Sequence, residues 1–166
     1  MKDELYDIEV LRDLSTKKKK ANKKLVQRLK KMKPREVDDI IHEQHDEVFE
    51  YIDCLKCANC CKNISPIITD RDIVRIAKHL RLKPIQFIEK YLKVDEEGDY
   101  VYQQHPCPFL LDDNYCSIYE YRPKACAEYP HTDRVKVYQA FNVSLKNTAV
   151  CPAVYQIFEN LKSLGY

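Results

Sequence analysis

The sequence predicts an α+β fold that is mainly α: an N-terminal helical hairpin followed by a small cysteine-rich domain of helices and short hairpins. Three observations lead there. Glycine occurs twice and tryptophan not at all, while 33% of the residues are charged, a composition that suits helices with a wet surface. Apolar residues recur at helical spacing towards both ends of the chain. Four of the eight cysteines crowd into "CLKCANCC", residues 54–61, which neither helix nor strand packing requires. At 166 residues the chain can remove roughly two-thirds of its unfolded surface from water, so it needs no staples to form a core.

Residues 3 to 33 can be written as one helix, with Leu5, Ile8, Leu11 and Leu14 and then Leu25, Leu29 and Met32 on one side. The lysine run between the two groups is expected to fray it. Pro34 opens a second helix with acids in its first turn and an apolar stripe of Val37, Ile41, Val48 and Ile52 that includes His45. Paired antiparallel, the two helices would set the acids of the second against the lysines of the first. Beyond the cysteine loop, Thr69 is the expected N-cap of a helix that buries Ile73, Ile76, Ala77 and Leu80, with Asp70 and Asp72 in its first turn. Pro84 begins a short helix to Leu92. "KVDEEGDYVYQ" reads as a strand pair turning at Gly98, and "CPFLLDDNYCSIY" as a tight hairpin turning at Asp112 to Asn114. "RVKVYQAFNVS" reads as a further strand, and "CPAVYQIFENLKSL" as a closing amphipathic helix. These elements divide the chain into a helical extension, residues 1–50, and a cysteine-cluster domain, residues 51–166.

The N terminus carries acids where a secretory signal needs a basic and then an apolar region, and no run of about 18 apolar residues follows. A cytoplasmic protein without a membrane span is therefore expected. In that compartment eight cysteines read as metal ligands or redox groups rather than as a disulfide framework.

Cys54, Cys57 and Cys60 have the spacing C-x-x-C-x-x-C, in which each two-residue gap returns the next thiol to the same side of a tight turn. An iron-sulfur cluster uses such a run together with a fourth cysteine from elsewhere. Cys107, Cys116, Cys126 and Cys151 are the candidates. Tetrahedral zinc is the alternative, since it takes cysteines in C-x-x-C pairs, and ligand softness does not separate the two metals. The spacing favours iron. The adjacent pair Cys60 and Cys61 calls for ligands pointing two ways, towards two centres or two corners of one cluster.

The ordered set "CLKCANCC", "CPFL", "CSIYEYRPKAC", "EYP" and a late "CP" resembles the YkgJ-like zinc- or iron-chelating cysteine-cluster family, which also forms part of flagellin lysine N-methylases. The resemblance spans roughly residues 50 to 155. It implies a metal site on Cys54, Cys57, Cys60, Cys61, Cys107, Cys116, Cys126 and Cys151. Two departures stand out: Ala58 where the family's loop has glycine, and Ala127 where it has arginine. Arg122 remains as a guanidinium that could hydrogen-bond a sulfur or an acidic ligand.

His105 and His131, close in sequence to Cys107 and Cys126, read as turn residues rather than ligands. His42 and His45 read as packing or surface residues of the second helix. Tyr102, Tyr115, Tyr119, Tyr121 and Tyr129 are expected to shield the cysteine site from water.

Eleven lysines and arginines between Lys17 and Arg35, set against a net charge of +2, leave the rest of the chain at −9. Such an arm attracts nucleic acid or anionic surfaces in a salt-dependent way. It has no aromatic residue for stacking on bases, so a solvated helix face is the preferred reading, with nonspecific RNA or ribosome binding as the alternative. The functional expectation is a metal-binding protein, redox-active if the metal is iron, with the hairpin as a docking surface for a protein partner. The alternative is an enzyme of methyl-transfer or redox type that uses the cluster.

Overall fold

Asp7 starts the first helix of the computed structural model, which describes residues 3–166; residues 1 and 2 of the expected extension lie outside the described residues. Its carboxylate accepts from the backbone N–H groups of Glu9 and Val10 at 2.8 and 3.3 Å, occupying donors that a helix start otherwise leaves bare. In chain order the helices are α1 (Ile8–Leu29), α2 (Pro34–Phe49), α3 (Cys54–Cys57), α4 (Asn59–Asn63), α5 (Asp70–His79), α6 (Pro84–Tyr91), α7 (Lys124–Ala127), α8 (Phe141–Asn147) and α9 (Pro152–Ser163). Strands β1 (Leu92–Val94) and β2 (Tyr100–Tyr102) form the two-stranded sheet between α6 and α7. The fold is α+β and mainly α. Among the described residues no helix is long and apolar enough to cross a membrane.

Two compact units are present: the described residues through Asn59 together with Pro130–Tyr166, and Cys60–Tyr129. In the first, α1 and α2 both pack against α9, and α8 packs against α1. Pro34 sits in the first turn of α2, where its missing N–H costs nothing. Leu11, Leu25, Leu29, Val154, Ile157 and Leu161 are each 0% exposed.

The lysine run does not fray α1, which is continuous from Ile8 to Leu29. Lysine is a good helix former. Where the apolar stripe lapses, Ser15 and Asn22 take the buried positions. Ser15 hydrogen-bonds Thr148 at 2.7 Å, and Asn22 Oδ1 accepts from Lys162 Nζ at 2.6 Å. The lysines of the run are exposed. Lys17 pairs with Asp13 of its own helix, Lys18 with Glu159 of α9, and Lys33 with Glu36 where α2 begins. Lys33 is the N-cap residue of α2, so its pair with Glu36 lies within the start of that helix, while Glu159 of α9 pairs with Lys18 of α1.

The strand expected in "RVKVYQAFNVS" is instead a 3-10 turn, Val137–Ala140, running into α8. Val137, Ala140, Phe141 and Ser144 are buried, a three-to-four spacing that the short alternation of valine and lysine masks. Lys136 enters in the left-handed conformation at φ 59°. The Asp38 carboxylate accepts from Lys136 N and Val137 N at 2.7 and 2.8 Å, so a tertiary partner provides the cap.

In the second unit Thr69 caps α5 as its sequence suggests, and Asp72 returns a bond to the Thr69 N–H, closing a capping box. The sheet is antiparallel, with Leu92 opposite Tyr102 and Val94 opposite Tyr100. Gly98 turns it at φ 89°, a conformation suited to glycine. The second hairpin is a single bridge between Leu110 and Cys116, with Asn114 in the left-handed region at φ 65°. Ile73, Ile76, Phe87, Leu92, Tyr102, Phe109 and Ile118 belong to one buried cluster, against which Cys107 and Cys116 pack.

Candidate metal centre

No disulfide joins any of the eight cysteines, all of which lie among the described residues. Cys54, Cys57 and Cys151 belong to the first unit, and Cys60, Cys61, Cys107, Cys116 and Cys126 to the second.

In the first unit α3 is one turn long, capped by the Asp53 carboxylate, which accepts from Leu55 N at 2.9 Å. Three residues apart, Cys54 and Cys57 fall on the same side of that turn. Ala58 then stops it in the left-handed conformation, φ 48° and ψ 23°. That backbone explains why glycine suits the position: an L side chain there costs about 1–2 kcal/mol. Cys151 precedes the first turn of α9. Burial pushes its thiol up to about 12; the Val154 and Ala153 N–H groups work the other way, and the charges of Cys54 and Cys57 add to the rise. The three thiols therefore lie within electrostatic reach of one another.

In the second unit α4 carries the adjacent pair, with the Cys60 and Cys61 sulfurs 3.9 Å apart. Cys61 is brought down to about 7, first by the hydrogen bond with Cys60 and then, against burial, by the charge of Lys62. It therefore ionises more readily than an ordinary cysteine, and more readily than Cys107, Cys116, Cys126 or Cys151. Its carbonyl accepts from Cys107 N at 2.8 Å, which ties the cysteine loop to the segment carrying the next ligand candidate. Burial raises Cys107 to about 11 and Cys126 to about 12, and in both the charge of Cys61 adds to the rise. Burial also raises Cys116, while the Ile118 N–H and Arg122 oppose it. Cys107 and Cys116 both act on Cys126. The charge of Cys61 on α4 thus bears on Cys107 in the loop after β2, on Cys116 at the Leu110–Cys116 bridge and on Cys126 of α7.

Arg122 stands beside this set. Its charge favours the thiolates of Cys116 and Cys126. Its guanidinium lies 3.8 Å from the centroid of the Tyr119 ring and donates to the Tyr119 carbonyl at 2.7 Å, and both contacts fix its orientation.

Asp72 is a residue whose wider part the sequence did not disclose. It is 3% exposed. Its carboxylate accepts from Thr69 N and Oγ1, from Arg75 Nη2 and, across the unit, from Lys124 N at 3.2 Å. Burial works to raise its pKa, and the hydrogen bonds outweigh burial and hold it below the ordinary value. One carboxylate therefore caps α5 and anchors α7, two residues before Cys126. The T-x-x-D pattern signals the cap but not the anchor.

Tyr102 is the one member of the expected tyrosine shield that is fully buried, at 2% exposure. Tyr115, Tyr119 and Tyr121 are 54%, 56% and 40% exposed, and Tyr129 is half-buried. Burial, then the charges of Cys107, Cys126 and Cys116 and of Asp72, hold the Tyr102 phenol well above its ordinary range. Its hydroxyl has no hydrogen-bond partner.

The histidines are engaged elsewhere. His42 reaches the Arg134 carbonyl at 3.0 Å, His45 Nδ1 the Thr132 hydroxyl at 2.8 Å, and His105 Nε2 the Ser65 hydroxyl at 3.1 Å. His131 lies in the first unit in a left-handed turn, φ 69°.

Among the described residues, no three His, Cys, Asp or Glu side chains are gathered as closely as ligands of one ion would be. The fit to a metal rests instead on chemistry. Four soft, half-buried donors lie in one unit with Arg122 beside two of them, and the buried Tyr102 hydroxyl has no partner.

No curated protein and no solved structure matches the chain. The family described as a zinc- or iron-chelating CxxCxxCC domain matches residues 53–152, a span that includes all eight cysteines. With the match covering more than half of its length, the chain belongs to the CxxCxxCC family of zinc- or iron-chelating domains.

Proposed function

We propose that this chain chelates metal through its eight cysteines in two thiolate centres, one in each compact unit, and that the metal is zinc in a mainly structural role. Cys61, Cys107, Cys116 and Cys126 supply the four thiolates that close a tetrahedral site. Cys54, Cys57 and Cys151 supply the second centre. Cys60, hydrogen-bonded to Cys61, keeps that neighbour ionisable and is available as a bridging sulfur.

The observation that carries this reading is the set of four thiols within residues 60–129, in which the charge of Cys61 bears on Cys107, Cys116 and Cys126. The preference for a cubane cluster came from a C-x-x-C-x-x-C run offering three sulfurs to one object. Four thiolates within one unit are what a closed tetrahedral zinc site takes, with no further ligand needed. Arg122 favours a second reading: a guanidinium beside Cys116 and Cys126 would stabilise added negative charge, as a reduced iron centre requires, and would serve as the cofactor-binding residue.

The test is anaerobic purification of the full chain, with iron, acid-labile sulfide and zinc measured per chain alongside visible absorption. Cys57→Ser and Cys116→Ser are treated identically. Colourless protein holding zinc, with each variant losing one centre and keeping the other, is the expected result. Iron with matching sulfide and a broad band near about 400 nm would replace zinc by a redox cluster. Unchanged metal content in both variants would reject thiolate chelation by these residues.

A further inference from the structure

The hydroxyl of Tyr102 is out of place in an apolar core. Tyr102 ends β2, and its ring packs edge-on against Phe109 with centroids 5.7 Å apart and planes at 64°. A phenylalanine would fill that space equally well. Instead a hydroxyl is buried without a partner, an arrangement native proteins avoid unless the group serves a purpose. Asp72, the nearby acid, is already committed to Thr69, Arg75 and Lys124. Two thiols, Cys107 and Cys116, pack against the cluster that contains Tyr102.

We propose that Tyr102 is a positioning residue of the thiolate centre in residues 60–129, and that with metal bound its hydroxyl donates a hydrogen bond to the sulfur of Cys107. The proposal rests on the reading that these thiols bind metal. A metal-bound thiolate keeps lone pairs that accept hydrogen bonds, and a neutral phenol has one proton to give. Cys107 is the acceptor because it packs on the Tyr102 cluster and lies two residues before Phe109, while its N–H is held by Cys61. The bond would fix the direction of the sulfur lone pairs and draw charge off the thiolate, as groups behind metal ligands commonly do.

Tyr102→Phe in the metal-loaded full chain tests this. Affinity is read by competition with a chromophoric chelator, and thiolate donor energy by the sulfur-to-metal charge-transfer band after cobalt(II) substitution. The variant is expected to load fully yet bind about ten- to a hundredfold more weakly at this centre, with the band shifted to lower energy. Loss of packing alone would leave the band in place. Unchanged affinity and an unchanged band, in a protein whose metal does depend on Cys116, overturn the role of Tyr102 alone. Metal that survives Cys116→Ser overturns the four-thiolate centre and this proposal with it. Should Tyr102→Phe fail to fold, the wild-type chain loaded with cadmium-113 decides: scalar coupling between the Tyr102 hydroxyl proton and the metal supports the bond, and its absence overturns it.

Discussion

The unit formed by the two ends of the chain and the unit formed by residues 60–129 bury different things. The first closes leucines, valines and isoleucines of α1, α2 and α9 on one another; its buried Ser15 and Asn22 are each hydrogen-bonded, while Gln44 Oε1 and Asn147 Nδ2 are buried without a partner. The second has its apolar cluster bordered by thiols and keeps one phenol unsatisfied. At roughly 70 residues, a single core rarely supplies more than about 3–5 kcal/mol. The difference teaches where the proposed metal would matter more: aliphatic side chains of three helices close the core of the first unit, whereas thiols border the apolar cluster of the second.

The sharpest way to break that contrast is to take away a ligand. Structural zinc contributes about 10–16 kcal/mol of binding free energy in small domains, so Cys116→Ser, or chelation, should remove protection from residues 60–129. The helices α1, α2 and α9 should remain protected, as amide hydrogen exchange would show. Simultaneous loss of protection in both units would end the comparison.

The converse change is Leu25→Ala, which opens a cavity in the helical core. It should destabilise the first unit by about 2–5 kcal/mol in chemical denaturation while metal bound by Cys116 and its partners stays unchanged. A drop in metal content would mean that the two units depend on each other.

Asp72→Asn comes next, at about 1–3 kcal/mol, because an amide cannot accept all the bonds of this carboxylate. The pH dependence has a definite sign. The folded pKa lies below the unfolded value of about 3.9, so the unfolded state binds more protons in between. The contribution is complete above the unfolded pKa and is lost as pH falls through the folded one. Wild type should show that acid-side loss and Asp72→Asn should not, in denaturation midpoints measured from neutral pH downwards.

The smallest effect expected is a gain. Ala58→Gly relieves the left-handed backbone at φ 48° and should stabilise the first unit by about 1 kcal/mol, after the entropy of the freer unfolded glycine is set against it. A loss of stability would mean that the buried Ala58 methyl matters more than its backbone strain.

Elements with a local chemical start were legible in the sequence. Pro34, Thr69, Pro84 and Pro152 each mark a helix that the structure contains, and Gly98 and Asn114 mark turns. Each works through neighbours a few residues away, by fixing φ, capping a bare N–H or tolerating a positive φ. The failures share the opposite cause. Helix α1 crosses the lysine run because Ser15 and Asn22 find partners 133 and 140 residues away. The 3-10 turn before α8 replaces a strand because Asp38 caps it from 98 and 99 residues off.

The cysteines follow the same rule. Their number, their order and the chelating family they announce are properties of the one-dimensional pattern, since two-residue gaps and thiol chemistry need no knowledge of the fold. Which thiols sense one another was decided by packing. Ala58 turns the chain between Cys57 and Cys60, Asp72 fixes the segment carrying Cys126, and Tyr102 is buried in the cluster against which Cys107 and Cys116 pack. Spacing along the chain constrains only neighbours, whereas burial and electrostatic coupling depend on distances that exist only once the chain has closed on itself.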